Sequence, residues 1–220
     1  MKYKAVIFDL DGTLFYSLPD IAFSINTVLK EYNFKTHTEE EVRMMIGNGF
    51  RKLVERALPK ESLRDTDFVN EFEEKARNYY KENMCNYSRL YKGIDSLLDY
   101  LKEKSFSLNI NTNKPHALVA PIVEHYLKKW NFEYCEGQLK GRAIKPEPDT
   151  AFYICEKLNL QPKDCLFVGD STVDMATAKN SGMKSIAVTW GFGDKEDLEA
   201  AQPDYIVDTP EDIITIIQEN

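Results

Sequence analysis

No run of apolar residues in this chain approaches the ~20 needed to span a bilayer, so nothing in it reads as a membrane anchor. Its opening residues lead into a strand without a signal-peptide pattern. Cysteine is scarce: Cys85, Cys135, Cys155 and Cys165 show neither CxxC pairing nor the spacing of a metal finger. Reduced thiols in a cytoplasmic protein are the expected state. Histidine is scarcer still, and His37, His116 and His125 are scattered; His116, near an expected helix start, reads as a surface or capping residue. Positive charge is short as well. With 28 Lys and Arg against 36 Asp and Glu, the net charge of −8 excludes a general nucleic-acid binder, which needs a basic face. A small anionic substrate stays open, because one metal and a few local cations can serve one phosphate. Internal repeats and low-complexity stretches are absent too.

What is present is an ordinary globular composition, 43% hydrophobic and 29% charged, over 220 residues. That length fits one domain, or a core domain carrying a smaller insertion. The chain is organised around Ala5-Val6-Ile7-Phe8-Asp9-Leu10-Asp11-Gly12-Thr13. A β-branched and aromatic run predicts a buried strand, yet it ends in two acids. Burying unpaired charge is costly, so paired carboxylates there point to a bound cation, and hard oxygen ligands suit Mg²⁺. Strand alternation would send Asp9 and Asp11 to the same side.

From about residue 18 to 84 the spacing predicts helices. One starts at Pro19-Asp20, a second follows a capping box at Thr38-Glu39-Glu40-Glu41, a third runs from Phe50 to about Leu58, and a polar fourth from about Asp67 to Glu82. After Tyr91 the pattern alternates. Strands are expected at 106–110, 165–168, 185–189 and 205–208, and helices near 94–101, from 115 to about Trp130, from Asp149 to Leu158, up to Ser181, and at the C-terminus. Such alternation predicts an α/β fold: a Rossmann-like parallel sheet with helices on both faces and an inserted all-helical domain. Ligands then bind beyond the C-terminal strand ends. Those ends carry Asp9 and Asp11, Thr112 and Asn113, and Asp170 with Asp174 one turn on, while Lys145 sits in an extended Lys-Pro-Glu-Pro loop. Carboxylates, one lysine and neutral donors at one sheet edge are suited to Mg²⁺ and a phosphoryl group.

Asp9-Leu10-Asp11-Gly12-Thr13, Thr112, Lys145, and Gly169-Asp170 with Asp174 resemble, in order, the four motifs of the haloacid dehalogenase superfamily. The resemblance implies a core of residues 1–14 and 89–220 with a helical cap at 15–88. Ile46 to Leu58 and Asn111-Thr112-Asn113-Lys114-Pro115 resemble the phosphoglycolate-phosphatase-like branch. Where the family often has an acid past the first-motif threonine, this chain has Phe15-Tyr16-Ser17. By resemblance, Asp9 is the nucleophile that forms an aspartyl-phosphate, and Asp11 protonates the leaving oxygen and then activates water. Mg²⁺ is expected on Asp9, the main-chain carbonyl of Asp11 and Asp170, with Asp174 either a direct ligand or a support for one. Thr112, the Asn113 backbone and Lys145 are expected on the phosphate. In the cap, Asn48 lies in a Gly-Asn-Gly helix start and Arg51 is placed to clamp a substrate carboxylate.

The expected protein is thus a cytoplasmic, Mg²⁺-dependent phosphatase of a small phosphorylated metabolite such as 2-phosphoglycolate, monomeric or homodimeric, with no nucleic-acid or membrane partner. Pyrophosphatase, sugar-phosphate phosphatase and phosphomutase remain alternatives, as does a non-catalytic binding module on the same fold.

Overall fold

A computed structural model describes residues 2–46 and 49–219. The chain opens on β1 (Ala5–Phe8) and the two-residue β2 (Phe15–Tyr16), then runs through α1 (Leu18–Glu31), α2 (Glu39–Arg43), α3 (Phe50–Ala57) and α4 (Thr66–Asn83). Next come β3 (Arg89–Leu90), α5 (Ile94–Glu103), β4 (Ser107–Pro115), α6 (His116–Ile122), β5 (Tyr134–Gln138) and α7 (Asp149–Leu158). The chain finishes with β6 (Cys165–Gly169), α8 (Thr172–Ser181), β7 (Lys184–Val188), α9 (Lys195–Ala200), β8 (Tyr205–Val207) and α10 (Pro210–Gln218). It divides into two compact units, Met1–Tyr16 with Leu90–Asn220, and Ser17–Arg89.

The larger unit is built on a six-stranded sheet in the order β5-β4-β1-β6-β7-β8, with every neighbouring pair parallel. All four β1 residues and all of β6 are fully buried, as a central strand covered on both faces requires. Side-chain alternation sends Ala5, Ile7, Cys165 and Phe167 to one face, where they pack with Ala151, Ile154 and Cys155 of α7 and Ala178 of α8. The order places β1 between β4 and β6, so the residues that follow these three strands meet at one edge.

Three expectations need correction here. The strand expected at 106–110 continues to Pro115, with its pairing to β5 irregular between Asn111 and Pro115. β5 itself was not expected: Tyr-Cys-Glu-Gly-Gln has no β-branched residue, and an edge strand needs less of the apolar signal. The helix expected to reach Trp130 ends at Ile122, one residue after Pro121, and gives way to a wide turn over Val123–Leu127 and a tight one over Lys128–Trp130. Proline removes a helix donor and crowds the preceding turn.

The smaller unit is helical. α4 packs on α1 and α3, and α2 packs on α1. The capping box at Thr38 is formed, with Glu41 N–H donating to the threonine hydroxyl and Thr38 N–H to the Glu41 carboxylate. Asp20, fully buried in α1, accepts from the main-chain N–H of Tyr87 at 3.1 Å and of Ser88 at 2.9 Å. It thereby ties the start of this unit to its end. Asp20→Ala leaves those amides without their charged acceptor and is expected to lower the unfolding free energy by about 3 kcal/mol. Urea denaturation followed by circular dichroism checks this.

Candidate active site

The end of β1 sets the first charge. Asp9 N–H still donates to Val168 O at 2.8 Å, so the backbone stays in the sheet while the carboxylate lies past its edge. The chain then turns at Gly12, whose φ of +93° favours glycine, and a Cβ there would sit 2.2 Å from the Asp170 carboxylate. Glycine is what allows the β1 and β6 ends to come together. Thr13 Oγ1 uses the approach to donate to Asp170 Oδ1 at 3.0 Å.

Lys145 lies at the centre. Its buried ammonium is 2.8 Å from Asp9 Oδ1 and 2.6 Å from Asp174 Oδ1. Asp174, wholly buried at the start of α8, receives its other oxygen's hydrogen bonds from Ser171 N–H at 3.1 Å and Ser171 Oγ at 2.5 Å. Oxygens of Asp9, Asp170 and Asp174 all lie within 4.8 Å of one another. Burial, partly offset by Lys145 and reinforced by Asp174, pushes the Asp9 carboxyl up to about 6. Burial and then the charges of Asp9 and Asp174 push Asp170 up to about 8. Burial alone would lower Lys145, but the flanking Asp174 and Asp9 carboxylates outweigh it and hold the ammonium above its ordinary range. Three buried carboxylates crowd together while the one ammonium reaches only Asp9 and Asp174, and the donor set is all hard oxygen. That chemistry fits a divalent cation such as Mg²⁺.

The other expected residues fall as follows. Thr112 is buried in β4, and its Oγ1 accepts from Lys114 N–H at 3.2 Å. The Asn113 side chain is spent on the Lys145 backbone, donating to its carbonyl at 3.1 Å and accepting from its N–H at 2.9 Å. It therefore orients the lysine loop. Asp11 directs its carboxylate to Lys114, at 2.9 and 3.0 Å. Lys114 was missed as a site residue, although strand alternation from Thr112 would have put it on the same side. Trp190 and Phe192 were missed too: the indole N–H donates to Thr13 O at 3.0 Å and the Phe192 N–H to Asp170 Oδ2 at 2.7 Å. His116 Nδ1 accepts from Gly137 N–H at 3.2 Å, a structural role. Asn48 lies outside the described residues. Arg51, in the helical unit, is engaged by Glu55 and Glu73 at 3.0 Å each and by Asn70 at 2.8 Å. An arginine so committed is not a free clamp.

The haloacid dehalogenase-like hydrolase family profile matches residues 6–188. The chain belongs to that family. It is 37% identical to the phosphoglycolate phosphatase of Haemophilus influenzae (strain 86-028NP), covering 98% of this chain and 99% of that one. With the phosphoglycolate phosphatase of Mannheimia succiniciproducens it shares 38%, at the same coverage. A crystal structure of a predicted phosphoglycolate phosphatase from Haemophilus somnus 129pt superposes with a TM-score of 0.92 at 36% identity, covering 99% of both chains. Among the described residues of this hydrolase, no helix is long and apolar enough to cross a membrane.

The raised carboxylates make a pH prediction. Asp170 binds its proton more tightly folded than unfolded, where its value is ~3.9. Its contribution to stability is therefore fully present below about pH 4 and lost as pH rises through about 8. Asp170→Asn abolishes that loss, so in EDTA at pH 8 the variant is expected to melt above the wild type. Thermal melts in EDTA across pH measure this.

Proposed function

We propose that this hydrolase is a Mg²⁺-dependent phosphatase that cleaves a small phosphorylated metabolite through an aspartyl-phosphate on Asp9. The observation that carries the reading is the buried Lys145 ammonium between Asp9 and Asp174, with Asp170 alongside, at the edge where β1, β4 and β6 end. The names of the full-length relatives support 2-phosphoglycolate as the substrate.

In this reading Asp9, Asp170, Asp174 and the main-chain carbonyl of Asp11 hold the cation. When bound, Mg²⁺ screens the nucleophile from the phosphate and stabilises charge on the transferring group. Lys145 fixes the Asp9 carboxylate and offers a point charge to the phosphoryl oxygens, joined by the Thr112 hydroxyl and the Asn113 N–H. A carboxylate oxygen of Asp9 attacks phosphorus as the bond to the leaving oxygen breaks. Asp11 gives that oxygen its proton, releasing the alcohol. Asp11 then takes a proton from water, whose oxygen attacks the acyl-phosphate phosphorus and frees inorganic phosphate and Asp9. Asp11 binds a proton from solvent before the first transfer; Lys114 holds the carboxylate in place, and its charge favours the ionised form that takes the proton from water. Substrate selection belongs to the helical unit, where Asn48 and Arg51 stand as the proposed contacts. Arg51 is expected to reach a substrate carboxylate only by exchanging its Glu55 and Glu73 partners. The four cysteines, all free thiols, support work in a reducing cytoplasm.

Phosphate release from a panel of phosphorylated metabolites tests the reading. With Mg²⁺, 2-phosphoglycolate is expected to stand well above pyrophosphate and sugar phosphates, and EDTA to abolish turnover reversibly. Asp9→Asn is expected to lower kcat by at least about a thousandfold. Turnover that survives chelation or Asp9→Asn contradicts the proposed mechanism.

A further inference from the structure

Asp170 is gripped by a part of the chain that carries none of the roles above. After β7 (Lys184–Val188), residues 190–192 bring two donors to bear on it. The Phe192 N–H reaches Oδ2 directly at 2.7 Å. The Trp190 indole N–H holds the Thr13 carbonyl at 3.0 Å, and the Thr13 hydroxyl holds Oδ1 at 3.0 Å. Between the two donors, Gly191 comes so close that a Cβ there would stand 2.3 Å from Asp170 Cβ and 2.4 Å from Oδ2. A Cβ atom cannot swing aside as a side-chain tip does, so any side chain at 191 must push Asp170 and the loop apart.

We propose that Trp190, Gly191 and Phe192 form a positioning loop that fixes Asp170 for divalent-cation binding, with Trp190 acting through Thr13. The inference rests on the reading of Asp9, Asp170 and Asp174 as the cation site. Repulsion from Asp9 and Asp174 would drive an unrestrained carboxylate away from the cluster. Two donors on its two oxygens and a glycine backbone against its Cβ leave it little freedom to move. Outer partners of this kind set metal affinity because they determine the ligand's position before the metal arrives.

The test is isothermal titration of Mg²⁺ alone into the full-length wild type, Gly191→Ala, Trp190→Phe and, as a control distant from the site, Trp130→Phe. Circular dichroism and urea midpoints in EDTA establish that each variant is folded. Gly191→Ala and Trp190→Phe are expected to bind Mg²⁺ roughly 10- to 100-fold more weakly, with Trp130→Phe unchanged. At saturating Mg²⁺ the KM for the phosphoester is expected to stay at the wild-type value and activity to recover. Trp190→Phe keeps the ring and loses one N–H, so it decides the matter if Gly191→Ala does not fold. Folded variants with wild-type Mg²⁺ affinity would overturn the positioning role. A wild type that takes up no Mg²⁺ would instead overturn the cation site on which that role rests.

Discussion

Everything at this sheet edge depends on three buried carboxylates held close together with a single buried ammonium that reaches two of them. With an effective dielectric of about 20, like charges no more than 4.8 Å apart repel by at least roughly 3 kcal/mol per pair. The two Lys145 contacts, at 2.6 and 2.8 Å, return about 6 kcal/mol each by the same expression. Attraction and repulsion thus come close to cancelling. What remains unmet is the desolvation of the carboxylates, the largest cause of the upward shifts of Asp9 and Asp170. A divalent cation is the natural answer to that deficit, since it replaces lost hydration at several oxygens at once.

The fold is arranged to sustain this costly cluster. Parallel pairing of β1 with both β4 and β6 delivers Asp9, Thr112 and Asp170 to a common edge from strands that are rigid and buried. Asp174, Asp170 and Lys145 are then held by donors or acceptors from the backbone or from short side chains. Ser171 serves Asp174, Thr13 and Phe192 serve Asp170, and Asn113 clasps the Lys145 backbone from both sides. Short, stiff supports keep the geometry in place before substrate arrives, which is where electrostatic catalysis gains most.

Much of this was legible in the sequence, and the failures are instructive. Ala5-Val6-Ile7-Phe8 and Cys165-Leu166-Phe167-Val168 announce themselves because strands buried on both faces must be apolar throughout. Tyr134–Gln138 does not, because an edge strand is held by its ladder with β4 more than by its composition. The acids stood out as residue types that do not belong at buried strand ends, and Lys145 through its Lys-Pro-Glu-Pro loop and its motif match. Lys114 and Trp190 did not, because their importance lies in contacts with Asp11 and Thr13 more than a hundred positions away, nor did Phe192, which reaches Asp170 through a main-chain N–H that any residue but proline carries. Arg51 shows the converse: reading it as an anion clamp leaves out Glu55, one helical turn on, whose i,i+4 pair with Arg51 a substrate carboxylate would have to replace.

The central claim is that Asp9 carries the phosphoryl group between the two halves of the reaction. Acid-quenching the Mg²⁺-loaded enzyme during turnover of 2-phosphoglycolate, then mapping its peptides by mass, tests this most directly. The account predicts a transient phosphate on the peptide containing Asp9, absent in Asp9→Asn and absent when substrate is withheld. Steady turnover with no phosphate on that peptide at any quench time, or with the label on another residue, would contradict it.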